Sequence, residues 1–80
     1  MVIWILYTEC DSEPSFEGYA TSKAKAKKWM FNFLKDKDNW GFFYNPTAKL
    51  EEDGDGMSIE VSGQHYIQAV KVKKIDSDSE

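Results

Sequence analysis

Nucleophilic catalysis needs a thiol or hydroxyl with a base beside it, and this 80-residue chain carries one cysteine, Cys10, and one histidine, His65. Cys10 lies between Glu9 and Asp11, carboxylates that raise a thiol pKa and disfavour the reactive thiolate. A strand-end cysteine and a surface histidine are therefore expected, not a catalytic couple. A lone cysteine also rules out an intrachain disulfide and a multi-thiolate zinc site. It fits a reducing, cytoplasmic compartment.

Carboxylates are the next candidates, and they fall in three groups: Glu9, Asp11, Glu13 and Glu17; Glu51, Glu52, Asp53 and Asp55; Asp76, Asp78 and Glu80. A general acid would need one of them in an apolar cleft that lifts its pKa, and nothing in their spacing puts one there. The run Glu51 to Gly56 superficially resembles the acidic start of an EF-hand loop. Aligning Gly56 with the loop glycine places Ser62 where the bidentate glutamate is needed. A solvated hairpin is the better reading, with no metal and no cofactor. Gly54 and Gly56 also lack the lysine and hydroxyl that follow in a phosphate-binding loop.

Six of the ten lysines lie between Lys23 and Lys37, with Trp29, Phe31 and Phe33 close behind the first four. Lysines neutralise phosphates and aromatics stack on bases, so a lysine-face nucleic-acid binder is one alternative. Against it stand the eleven carboxylates of the acidic groups, a net charge of −4 and the absence of arginine, the side chain best suited to bidentate phosphate and guanine recognition. A solvated lysine face is expected.

These residues must be carried by a small frame. Eighty residues allow one core, and hydrophobic (41%) and charged (30%) fractions are those of a globular chain. We read residues 1–75 as one α+β domain and 76–80 as an acidic disordered tail. The apolar run Val2 to Leu6 is too short and wrongly flanked for a signal peptide or a membrane span. Val2 to Glu9 predicts a strand and Phe16 to Ala20 a short return strand. A helix is expected from a Thr21 or Ser22 cap to about Lys37, with Ala26, Trp29, Met30, Phe33 and Leu34 inward. Phe31 has no place in that stripe. Trp40 to Tyr44 reads as a third strand stopped at Asn45-Pro46, with Thr47 to Glu51 able to continue toward a hairpin. Met57 to Ser62 and His65 to about Ile75 complete the set, joined to what precedes by the Asp53–Gly56 turn. The expected fold is an antiparallel sheet of four to five strands with one helix on one face, in the order β-β-α-β-β-β.

One helix covers one sheet face, yet the first strand is apolar on both: Val2, Trp4 and Leu6 on one, Ile3, Ile5 and Tyr7 on the other. Large apolar patches are uncommon on monomers. A covering partner is therefore expected, either a host protein with a basic or nucleic-acid-binding surface, or a second copy of the chain. Asp11, Glu13, Glu51, Glu52, Asp53 and Asp55 would steer such a partner, and Phe31, Phe43 and Tyr44 would anchor it.

The step Gly18-Tyr19-Ala20-Thr21-Ser22-Lys23-Ala24-Lys25-Ala26, between an apolar strand and an aromatic helix, resembles a layout of small phage and bacterial α+β proteins. Some phage members of similar size inhibit host defence proteins. The resemblance spans about the first half of the chain and carries over no functional residue. It implies a phage or mobile-element inhibitor acting in the host cytoplasm, not an enzyme.

Overall fold

The computed structural model describes residues 2–73; the expected end of the last strand at Ile75 and the acidic stretch 76–80 lie outside them. Five strands form one antiparallel sheet: β1 (Val2–Cys10), β2 (Glu13–Ala20), β3 (Leu50–Asp53), β4 (Gly56–Ser62) and β5 (His65–Lys73). Their spatial order is β2-β1-β5-β4-β3. Between β2 and β3 run helices α1 (Lys23–Leu34) and α2 (Lys37–Trp40), followed by a 3₁₀ turn at Gly41–Phe43.

The α+β class and antiparallel sheet agree with the sequence reading, whereas the expected single helix and the order β-β-α-β-β-β are corrected to two helices and β-β-α-α-β-β-β. The single helix expected to about Lys37 ends at Leu34. Asp36 then accepts a hydrogen bond from the Asp38 N–H (3.0 Å) and caps a second, short helix. Trp40 to Tyr44 is therefore no strand, and the third strand of the sheet is the short β3. Trp40 is buried at the end of α2, its Nε1 donating to the Phe33 carbonyl (3.3 Å). Gly41 then turns the chain with φ 53° and ψ −117°, a conformation open to glycine and strained for other residues. An aromatic run has the composition of a strand, but a cap before it and a glycine within it decide otherwise.

The return strand begins at Glu13, three residues earlier than expected, because Asp11 and Ser12 alone make the turn, with φ 53° and 71°. Two left-handed residues give the mirror-image turn whose twist suits a hairpin. β2 is an edge strand, where Pro14 costs no sheet hydrogen bond. An extra residue, Glu17, bulges out between the Leu6 and Tyr7 pairings, and its carboxylate accepts from the buried Thr8 hydroxyl (3.1 Å).

Ser22 caps α1, its Oγ accepting from the Lys25 N–H (3.2 Å). Ala26, Met30 and Leu34, four residues apart, are fully buried against Trp4, Leu6, Met57, Ile59, Val61, Ile67 and Ala69 of the sheet. Each of the large side chains among these contributes about 1.5–3 kcal/mol through burial. Trp29, Phe31 and Phe33 are half-buried at the margin of this core, so Phe31 finds its place in packing that helical periodicity alone did not show.

Candidate functional site

Residues directly paired across an antiparallel sheet share a face, so the strand registers sort every described strand residue. Trp4, Leu6 and Thr8 share the helix-covered face with Lys71, Ala69 and Ile67. The opposite face carries Ile3, Ile5, Tyr7 and Glu9 of β1, facing Val72, Val70, Gln68 and Tyr66 of β5. Phe16 and Tyr19 extend it on β2; Ser58 and Glu60 on β4 and Glu51 and Asp53 on β3 complete the other side. Among the described residues nothing packs over this face.

The open face is divided. Over β2, β1 and β5 it is apolar and aromatic: Phe16 is 68% and Tyr19 65% exposed, and Ile3, Ile5, Tyr7 and Val70 are half-buried only by one another and the strands. Over β4 and β3 it is polar and acidic, with Glu51, Asp53 and Glu60 exposed. The two halves meet at a hydrogen-bonded chain in which the Tyr7 hydroxyl donates to Gln68 Oε1 (2.9 Å) and Gln68 Nε2 donates to Glu9 Oε1 (2.6 Å). Burial, and next the Glu9 carboxylate, raise the Tyr7 phenol above its ordinary value. Beside this chain lies a hollow of about 630 Å³ whose lining includes Glu51, Asp53, Ser58, Gln68 and Val70.

The structure separates the residues expected to act together. Asp11 and Glu13 sit at the β1–β2 turn, where the Asp11 N–H donates to the Gln64 carbonyl (3.0 Å). Asp53 and Asp55 lie at the β3–β4 turn toward the opposite end, level with Val70, and Glu51 two residues back, level with Gln68; from His65 at the first turn to Val70 is five steps along β5, about 17 Å. Glu52 points to the covered side and is held by Lys23 and by Lys27, the latter at 2.9 Å. The Lys23 ammonium, with Lys27, lowers its carboxyl below the ordinary glutamate value.

Of the expected aromatic anchors, Phe31 packs against the core and Tyr44 is half-buried, its hydroxyl donating to the Lys35 carbonyl (3.3 Å). Phe43 is about half exposed, 47%, and stacks on His65 with ring centroids 4.2 Å apart. Phe42, which the strand reading passed over, projects fully into solvent from the 3₁₀ turn. The sequence reading also left out Phe16, Tyr19 and Val70. The alternation of β5, with Ile67 and Ala69 against Tyr66, Gln68, Val70 and Val72, was the available signal.

Cys10 and His65 are direct cross-strand partners, a juxtaposition their sequence positions do not suggest. The His65 ring lies between Trp40 and Phe43, and its Nδ1 is 3.0 Å from Ser62 Oγ. Burial, then Asp11, push the Cys10 thiol up, away from the reactive thiolate. Among the described residues no group of three or more histidine, cysteine or acidic side chains is placed to hold a metal ion, and no helix is long and apolar enough to cross a membrane. Comparison of the chain with protein-family models, with curated proteins and with solved structures finds no match.

Proposed function

We propose that this chain is a non-enzymatic protein-binding module whose working surface is the open sheet face. The observation that carries this reading is the division of that face into an aromatic half and an acidic half, with the helix-borne lysines on the other side of the sheet. Aromatic side chains give large contact area at low entropic cost, and a one-signed rim steers and orients a partner. The resemblance of the Gly18–Ala26 step supports the narrower reading of a phage or mobile-element inhibitor or modulator of a host protein.

Affinity capture with three baits tests the proposal: the unaltered chain, the open-face variant Tyr19→Lys, and Lys28→Glu on the exposed helix. A protein retained by the first and third baits and lost with the second is the expected result. Identical recoveries with all three would remove the open face from binding. Sedimentation equilibrium of the unaltered chain separates a foreign partner from a second copy, which would give a dimer that Tyr19→Lys dissociates.

A further inference from the structure

Resting on that reading, we propose that the open face receives a cationic amphipathic helix of a partner protein, its apolar side over Ile5, Tyr7, Tyr19 and Val70 and its basic side toward Glu51, Asp53 and Glu60.

The backbone argues for a helix. β1, β5 and β4 each have a hydrogen-bonded neighbour on both sides, so a ligand lying across them meets side chains and no free peptide groups. It must satisfy its own N–H and C=O groups internally, as a helix does. Dimensions agree: five strands spaced about 4.8 Å apart give a face about 19 Å wide. A helix about 10 Å across that rests on the apolar half has one flank over the acidic half. The 630 Å³ hollow, lined in part by Glu51, Asp53, Ser58 and Val70, lies under that flank.

Charge selects the sign. The described strand residues of this face contribute four carboxylates, Glu9, Glu51, Asp53 and Glu60, and no lysine. Phosphate backbones and anionic lipid surfaces are repelled by such a rim. A second copy laid sheet against sheet would bring the same uncompensated sign to the contact. Lysines or arginines along one edge of an apolar helix supply the complement, while Tyr7 and Tyr19 provide amphipathic anchors.

The test is an NMR titration of the ¹⁵N-labelled full chain with three synthetic peptides of about 18 residues, long enough for five helical turns. One places leucine and lysine at helical period, one has the same composition in scrambled order, and one replaces lysine by glutamate. The lysine–leucine helix is expected to shift the amide signals of Ile5, Ser58 and Val70 and to bind about tenfold or more tighter than either control. The paired variant Glu51→Lys and Asp53→Lys should weaken it by about tenfold, and added salt should do the same. Equal binding of the lysine and glutamate helices on this face would overturn the inference while leaving the protein-binding reading standing. Shifts confined to α1, or no shifts with any peptide, would also overturn it. Loss of the reading itself would show separately, as identical captures with unaltered and Tyr19→Lys baits.

Discussion

Lys27 Nζ lies 2.9 Å from Glu52 Oε2, joining the second turn of α1 to the shortest strand of the sheet. Lys23 binds the other oxygen of the same carboxylate, so β3, an edge strand of four residues, is tied to the helix as well as to β4. Because Lys23 and Lys27 lower the Glu52 pKa, the contact stabilises the fold above the ordinary glutamate range and its contribution fades as the pH falls through the lowered value. The melting temperature of Glu52→Gln should therefore lie below that of the unaltered chain at neutral pH. The difference should close on acidification, and thermal melts across a pH series read it directly.

Asp11 and Ser12 both hold left-handed backbone conformations without a glycine between them. Such a conformation costs an L-residue roughly 1–2 kcal/mol, least for Asp and Asn. Ser12→Gly should raise the stability by about 1 kcal/mol, since glycine removes the steric part of that cost and returns some of it as chain entropy. Urea unfolding measures the change.

Phe42 and Phe43 are neighbours with different environments. Phe42→Ser removes a side chain that touches nothing and should leave stability within about 0.5 kcal/mol. Phe43→Ser removes the stack on His65 and should cost about 1 kcal/mol. The same denaturation assay applied to both variants distinguishes them, and equal losses would contradict the geometry described here.

At the centre of the core, Met30 and Leu34 are fully buried between α1 and the sheet. Leu34→Ala should destabilise by about 2–5 kcal/mol, the transfer term plus the cavity left behind. That is a large part of the stability of so small a domain. Circular dichroism at rising temperature would show a melt well below that of the unaltered chain.

Cys10 is exposed but its thiol pKa is raised, by burial first and by Asp11 second. Alkylation by iodoacetamide at neutral pH should be slower than for a small free thiol, because less thiolate is present. Asp11→Asn should accelerate it. Timed alkylation followed by mass spectrometry checks both rates.

Much of the frame was legible in the chain itself. The alternation of Met57, Ile59 and Val61, the Ser22 cap and the four-residue spacing of Ala26, Met30 and Leu34 each state a local preference that burial then obeyed. Trp40 to Tyr44 has the composition of a strand, whereas its conformation depends on the Asp36 cap and on the bond from Trp40 to the Phe33 carbonyl. The surplus apolar surface was visible as Ile3, Ile5 and Tyr7 opposite Trp4 and Leu6. Which other residues share that surface was not.

Periodicity and composition along short stretches are enough for the α+β class, for β1, β4 and β5, for the hairpin through Asp53–Gly56, though not its first strand's bounds, for the amphipathic helix and for the excess of apolar side chains over one core. Long-range packing sets the rest: Tyr19 of β2, Val70 of β5 and Glu51 of β3 share one face, Glu52 is held by Lys23 and Lys27, and the two acidic turns point toward opposite ends. Those relations depend on strand order and register, which arise from contacts between segments far apart in the chain, and no local pattern encodes them.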